Sequence, residues 1–293
     1  MNFNEKLRNL RKQFGFSQEQ LAEKINVPRQ AVTKWETDGG LPDIENLIAI
    51  AALFSVSIDE LLSEEKLVRA TANYAYESAT EYDVSRFSHF DIHAPGALEI
   101  NLTASCEEKL RVRLASNVMQ ALSKNYKIKI DEHRNRLDVD IQRVGQSREA
   151  EAKEALYMYI SVPSAFCEAV ELSAVADVLR LSKTGFPFEL DGKAHRVHLE
   201  AVSGPVTLNC NDDMEITADA LPAAIEVNQI NATSVLRLPR DSKYYTKIKG
   251  KSNRISFAVA GNLSESHDDP SAESYVELAG MNAELLIDKS LAC

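Results

Sequence analysis

The segment SQEQLAEKINVPRQAVTKWETDGGLPDIENLIAIAALFSVSIDELL occupies residues 17–62, and its first part has the pattern of two short helices. Ser17 is a good N-cap, and Gln20 completes a capping box ahead of the first helix. A tight turn then leads into a second helix that begins near Pro28 or Arg29, since proline fits a first helical position. The apolar positions expected on its buried side are Ala31, Val32 and Trp35.

The other side of this second helix is polar. It carries Arg29, Gln30, Thr33 and Lys34. Two short helices joined by a tight turn, the second exposing hydrogen-bonding side chains from its first two turns, fit the major groove of B-DNA. Arginine can bind guanine and glutamine can bind adenine with two hydrogen bonds each, while lysine serves a phosphate or a guanine. The pattern alone leaves open a helical bundle whose polar face is only solvated.

Three further helices are expected around this pair. Residues 2–14 have apolar side chains at spacings of three and four, typical of an amphipathic helix; they are Phe3, Leu7, Leu10 and Phe14. Another helix is predicted to begin after Pro42 with Asp43, and its inward positions are Leu47, Ile50 and Ala51. A last helix at 58–62 would close the core. The sequence therefore predicts an all-α, five-helix head over residues 1–65.

The segment resembles the Cro/CI-type (XRE) helix-turn-helix family. The matching motifs are S-Q-x-x-L-A, R-Q-A-V-x-K-W-E, P-D-x-x-N-L and V-S-I-D-E-L-L. The resemblance implies that Gln18 holds a phosphate and an adjacent base, and that base edges and backbone are faced by Arg29, Gln30, Thr33 and Lys34. It also implies a structural ion pair between Arg11 and Glu36. Pro28 departs from the Ser or Thr frequent in the family, which removes about 1 kcal/mol of capping.

Charge is distributed unevenly along the chain. The whole chain carries a formal net charge of −11. From Lys6 to Lys34, however, there are seven Lys or Arg against two Glu, a local net charge of +5. One face of the head can therefore be positive enough to approach DNA in an otherwise acidic protein.

After the head the pattern changes to β. Residues 66–86 mix charged and small residues without a sustained period, and we predict a linker or a partly helical connector there. From Phe87 onward apolar residues alternate strictly with polar ones, which is typical of strands with one buried face. Leu110, Val112 and Leu114, separated by Arg111 and Arg113, are one such set. Residues 87–293 are therefore expected to form an all-β domain.

Leucines mark a regular interval within this domain. They fall nine residues apart, at Leu172, Leu181, Leu190, Leu199 and Leu208, each ending a short inward-facing strand. Such an interval favours a β-solenoid, in which stacked strands bury a continuous apolar column. The alternative is a β-sandwich or jelly roll, whose strands also recur every 8 to 12 residues. The segment weakly resembles the adhesin-type β-solenoid domain.

Other classes of site find little support. His195 and His198, the one candidate metal pair, would point to opposite faces of a strand, so no metal is expected. No hydrolase, phosphate-loop or dinucleotide motif is present, and we expect no catalytic residues, no cofactor and no enzyme activity. No apolar run is long enough to span a membrane, and a cytoplasmic location is the default expectation.

The sequence thus predicts a DNA-binding transcriptional regulator. Its partner would be double-stranded DNA, bound by a homodimer, because small heads reach specific affinity as pairs across a palindrome. The β domain would then oligomerise or sense a signal. The alternative is a protein-binding scaffold, or an antitoxin-like partner protein, that the head tethers to DNA.

Overall fold

Two units make up the chain, Met1–Ala72 and Asn73–Cys293. The computed structural model describes residues 3–4, 7–8, 11, 16–37, 40–54, 74–145, 148–259, 262–264 and 269–291. None of the helices within these ranges is long and apolar enough to cross a membrane.

The first unit is helical throughout its described segments apart from turns and caps. Its helices are α1 (Gln18–Lys24), α2 (Arg29–Glu36) and α3 (Ile44–Phe54), and the described residues before Phe16 are helical as well. Their apolar side chains form one core, which includes Phe3, Leu7, Leu21, Val32, Trp35, Leu47 and Ile50. The apolar spacing predicted these positions. Leu10, Phe14 and the helix expected at 58–62 lie outside the described residues.

The second unit consists mainly of β-strands. Its described residues include two short helices, α4 (Leu122–Asn125) and α5 (Glu149–Ala155), and a 3-10 turn at Ser164–Phe166. Its strands are β1 (Tyr76–Asp83), β2 (Ser88–His93), β3 (Ala97–Ser105), β4 (Lys109–Ser116), β5 (Tyr126–His133), β6 (Arg136–Arg143), β7 (Tyr157–Pro163), β8 (Cys167–Ser182), β9 (Phe188–Glu200), β10 (Val206–Asn209), β11 (Glu215–Ala218), β12 (Ala224–Ile230), β13 (Thr233–Pro239), β14 (Tyr245–Ile248), β15 (Arg254–Val259), β16 (Asn262–Ser264), β17 (Tyr275–Met281) and β18 (Glu284–Leu291).

The leucine register appears in the pairing of the long central strands. β8 and β9 run parallel, with Leu172 opposite Leu190 and Leu181 opposite Leu199. β9 and β10 continue the register, with Leu190 opposite Leu208. All five leucines are buried. The nine-residue interval is therefore half of the distance between stacked partners, because the chain passes through two strand segments before it returns to the same column.

Strand pairing continues from β8 and β9 as two series of parallel neighbours. One runs through β6, β2, β8, β9, β10, β12, β17 and β14. The other runs through β7, β3, β8, β9, β11, β13, β18 and β15. Among the described residues, antiparallel pairs occur only towards the ends of these series, as β1–β4, β4–β7, β5–β6 and β15–β16.

The boundary between the units differs from the predicted one. β1 occupies Tyr76–Asp83, inside the segment 66–86 that was expected to be a linker. β1 is paired only with β4 among the described strands, and no residue of β1 is fully buried. Its exposed side chains form ion pairs such as Glu77 with Arg113, while Tyr76 and Tyr82 on its other face are half-buried and pack against the core. Serine and threonine stand between the two tyrosines on that face, so the apolar alternation on which the prediction relied is missing, and the β domain begins before Phe87.

The predicted short strands are also longer than expected. The segments that end at Leu172 and Leu181 are both parts of β8, a single strand of 16 residues. β9 can stack closely on β8 because Gly192 of β9, with φ of +155°, lies over β8. A Cβ atom at Gly192 would be 1.9 Å from the carbonyl oxygen of Ala174. Only glycine fits so close an approach of two backbones.

Candidate nucleic-acid interface

α2 is amphipathic, and its apolar side fixes its orientation in the head. Val32 is fully buried and Trp35 is 7% exposed, both within the helical core. The opposite side is formed by exposed residues, namely Arg29, Gln30, Thr33 and Lys34. The four side chains that the sequence singles out therefore share one solvent-facing surface of one helix.

The turn before α2 sets where this surface begins. Ser17 caps α1 in a capping box, with the Gln20 backbone N–H donating to Ser17 Oγ at 3.1 Å and the Ser17 N–H donating to Gln20 Oε1 at 2.7 Å. Asn26 then adopts a left-handed φ of 55°, which reverses the chain. Pro28 occupies the N-cap position of α2 and makes no side-chain hydrogen bond there. Arg29 and Gln30 are consequently the first two residues of the helix.

The far end of α2 is tied to the N-terminal helix by an ion pair. Arg11 donates to both carboxylate oxygens of Glu36, from Nε at 2.6 Å and from Nη2 at 2.9 Å. Its third nitrogen, Nη1, donates to the carbonyl oxygen of Phe16 at 2.9 Å. Two parallel hydrogen bonds between a guanidinium and a carboxylate are a strong and directional arrangement. The pair fixes α2 relative to the start of α1.

The ionisation of the pair follows from these contacts. Burial of the Glu36 carboxyl raises its pKa, but hydrogen bonds from Arg11 and Gln18 outweigh this effect, so the pKa lies below its usual value. The hydrogen bond with Glu36 raises the pKa of Arg11, against a smaller opposing effect of burial. Both groups are charged at neutral pH.

Gln18 belongs to the same network, which sequence reasoning missed. Its Nε2 donates to Glu36 Oε2 at 2.8 Å, and its Oε1 accepts from the Thr33 hydroxyl at 3.2 Å. The Thr33 hydroxyl also lies 3.1 Å from the carbonyl oxygen of Arg29. The structure thus joins Gln18, Thr33, Glu36 and Arg11 through side chains, whereas Gln30 and Lys34 are simply exposed. Apart from the Arg11–Glu36 pair, which the family resemblance implied, no sequence pattern reports these side-chain contacts, because those of Gln18 join residues 15 and 18 positions apart.

Metal chemistry finds no site in the described part of the chain. Within it, no group of three or more His, Cys, Asp or Glu side chains is arranged to hold a metal ion. His195 is exposed and His198 is half-buried on β9. Burial, together with the nearby Arg180, lowers the pKa of His198, which favours its neutral form.

Comparison with known proteins assigns the head to a family. A helix-turn-helix family model matches residues 7–61. Residues 7–61 are a helix-turn-helix domain of the Cro/CI (XRE) type. The transcriptional activator BcrR of Enterococcus faecalis is 53% identical over 68 residues, which are 23% of this chain and 33% of BcrR. The transcriptional repressor RstR of Vibrio cholerae is 41% identical over 61 residues, 21% of this chain and 54% of RstR.

The matches to these regulators cover 68 and 61 residues, and this chain spans a third to about half of their lengths. For the β domain, a structure from Clostridium sporogenes described as a cell adhesion protein aligns with 73% of this chain and 98% of its own, with a TM-score of 0.39 at 11% identity. That score and identity are too low to transfer a function.

Proposed function

We propose that this protein is a sequence-specific DNA-binding transcriptional regulator whose helix α2 enters the major groove. The observation that carries the proposal is the exposed surface of Arg29, Gln30, Thr33 and Lys34 on a helix whose other side is anchored in a core. The family assignment of residues 7–61 and the names of its relatives support it. A function on DNA also requires access to the chromosome, in keeping with a cytoplasmic location.

The side chains divide by role. Arg29 and Gln30, at the start of α2, would reach base edges, where guanidinium and amide groups discriminate among base pairs. Lys34 would bind a phosphate or a guanine. Gln18 is oriented by its hydrogen bonds to Thr33 and Glu36, and its second amide hydrogen could donate to a phosphate beside the groove. In this arrangement Arg11 and Glu36 position Gln18 without contacting DNA.

For the second unit we propose a β-solenoid that serves oligomerisation or sensing. The support is its parallel register, in which Val170, Phe188, Val206 and Ile225 are successive partners. Intervals of 18 or 19 residues between stacked partners fit one coil of a solenoid, whereas a sandwich is built from antiparallel strands. A homodimer is the working unit that we propose, because paired heads bind a two-fold symmetric site.

We call the exposed side of α2, formed by Arg29, Gln30, Thr33 and Lys34, the reading surface. Fluorescence anisotropy of the full chain tests its role, with duplexes recovered by selection from random DNA. Arg29→Ala and Gln30→Ala should each lose about 1 to 3 kcal/mol of preference for one base position. Gln18→Ala should weaken all duplexes about equally. Arg8→Ala is the matched control, since Arg8 is an exposed cation of the head outside α2. It should leave base preference unchanged. Equal, uniform losses for Arg29, Gln30 and Gln18 variants would refute the assignment of this surface.

A further inference from the structure

A second basic segment lies in the β domain, far along the chain from the head. Between Ser242 and Ser264 the sequence has five cations and no Asp or Glu, although the whole chain has a net charge of −11. The cations are Lys243, Lys247, Lys249, Lys251 and Arg254. We call residues 243–254 the basic coil. Its net charge of +5 equals that of the segment from Lys6 to Lys34 that contains the reading surface.

The basic coil lies at the end of both series of parallel strands. β14 is the last strand of one series and pairs with β17, and β15 ends the other series by pairing with β18. The chain turns between them at Gly250, whose φ is +92°. A Cβ atom there would be 1.9 Å from the carbonyl oxygen of Gly280, so the turn packs tightly against β17. The cations are therefore presented by an ordered backbone.

Two of the lysines are oriented by neighbours. Lys247 Nζ lies 3.4 Å from the ring centroid of Tyr275 and 5.3 Å from that of Tyr245. Lys249 Nζ lies 2.8 Å from a carboxylate oxygen of Glu277. Lys247 and Lys249 are two residues apart along the strand direction, a spacing of about 6.6 Å. The two side chains are therefore ordered, Lys247 by aromatic rings and Lys249 by a carboxylate that offsets its charge.

The remaining three cations face solvent. Lys243, Lys251 and Arg254 are exposed, and no carboxylate of a described residue lies within ion-pair distance of them. Lys243 is nevertheless close enough to Asp269 to contribute, after the hydrogen bonds from Ser271, to the lowered pKa of that carboxyl, and Arg254 lies opposite Glu284 in the strand register. On the other side of the unit, by contrast, arginines of β4 are paired with acids of β1, as Arg113 is with Glu77. Exposed cations that form no ion pair, next to half-buried tyrosine rings, suit a polyanion with a regular backbone charge.

We propose that the basic coil binds the phosphate backbone of duplex DNA, as a sequence-independent contact additional to the α2 surface. This inference rests on the proposed function, because DNA is the expected polyanion only if the head binds DNA. A different use of lysine at a strand edge is to prevent edge-to-edge association. That use requires no ligand, and it makes a different prediction for the experiment below.

The experiment compares two triple variants of the full chain. Lys243→Gln/Lys251→Gln/Arg254→Gln removes the three exposed cations of the basic coil that form no ion pair within the described residues. Lys124→Gln/Lys127→Gln/Lys129→Gln is the matched control, since these lysines are also exposed, in α4 and β5, and carry the same total charge. Anisotropy is measured on a selected duplex with long flanks, over a series of salt concentrations.

The expected result is weaker binding by the basic-coil variant alone. The slope of log K against log salt should fall by about 0.9 for each cation that contacts a phosphate. At 0.1 M salt this corresponds to roughly a tenfold loss of affinity per contact. As a second readout, duplex DNA should protect Lys243 and Lys251 from acetylation in the wild-type chain, and should leave Lys127 and Lys129 reactive.

Four outcomes are distinguishable. Equal behaviour of both triple variants, with no protection of Lys243 and Lys251, would overturn the inference. So would self-association of the basic-coil variant with an unchanged salt slope, which is the edge-protection outcome. Loss of binding to phosphatidylglycerol vesicles but not to DNA would overturn it in favour of a membrane. If the wild-type chain shows no sequence selectivity yet the basic-coil variant binds every duplex more weakly, the inference stands and the proposed function fails.

Discussion

Glu36 accepts three hydrogen bonds, two from Arg11 and one from Gln18, while only 8% of the residue is exposed. A buried carboxylate is stable only when its charge is compensated and its oxygens are hydrogen-bonded. Here the same contacts also orient Gln18. The residue thus links the stability of the head to the geometry of the reading surface.

Replacing Glu36 by glutamine should therefore destabilise the head. We expect Glu36→Gln to lower the free energy of unfolding by about 3 kcal/mol at pH 7, because it leaves the Arg11 guanidinium without its counter-charge. Trp35, the single tryptophan of the chain, is buried in the head core and reports its unfolding by fluorescence in urea. A change below about 0.5 kcal/mol would mean that the pair is energetically neutral.

The difference between wild type and Glu36→Gln should depend on pH. The pKa of Glu36 in the folded state lies below its usual value of 4.5. Stability from a carboxyl with a depressed pKa is complete above the unfolded pKa and is lost as the pH falls through the folded pKa. The stability difference should be constant near pH 7 and shrink below about pH 4.5. A difference that is unchanged in acid would contradict the ion-pair explanation.

At the scale of the elements, substitution can test how much the capping box stabilises α1. Ser17→Ala removes the hydroxyl that accepts from the Gln20 N–H and should cost about 1 kcal/mol of unfolding free energy. Glu23→Ala is the control, because Glu23 is exposed in the same helix, outside its first turn. It should change stability by less than about 0.5 kcal/mol. Equal effects of the two changes, followed by Trp35 fluorescence, would show that the capping box does not stabilise α1.

The close stacking of β8 and β9 can be tested in the same way by substitutions at two glycines. Gly192→Ala places a Cβ 1.9 Å from the Ala174 carbonyl oxygen and should cost several kcal/mol, about 3 or more, because backbone must move. At Gly185 the nearest atom to a Cβ would be Ser203 Oγ at 3.4 Å. Gly185→Ala should therefore be tolerated within about 1 kcal/mol. Thermal unfolding followed by circular dichroism measures both, and similar melting temperatures would contradict the close stacking of β8 and β9.

An element can be predicted from the sequence when the residues that determine it lie close together in the chain or repeat at a fixed interval. α1, α2 and α3 were predictable because Ser17, Gln20 and the apolar positions of each helix are close together in the chain. The nine-residue leucine interval was visible because it repeats, but the sequence did not show that stacked partners such as Leu172 and Leu190 lie two intervals apart. β1 was not predictable, because serine and threonine interrupt its inward-facing side between Tyr76 and Tyr82. The Gln18 contacts needed the folded head, because they depend on the packing of α1 against α2.

On the scale of the whole molecule, the acidic total charge conceals two basic segments, one in each unit. The segment from Lys6 to Lys34 and the basic coil carry +5 each within a chain of −11. Non-specific attraction to DNA should therefore be restricted to these two surfaces and should fall steeply with salt. Specificity in this account comes from α2 and from the pairing of two heads.

Selection of bound sites from random double-stranded DNA by the full-length chain is the most direct measurement. We expect enrichment of a two-fold symmetric motif whose half-sites are centred about 10 base pairs or a multiple apart. With Arg29→Ala/Gln30→Ala, information should be lost at the same positions of both half-sites. An unenriched pool for the wild-type chain, or a motif unaffected by these two changes, would contradict the claim that α2 reads DNA sequence.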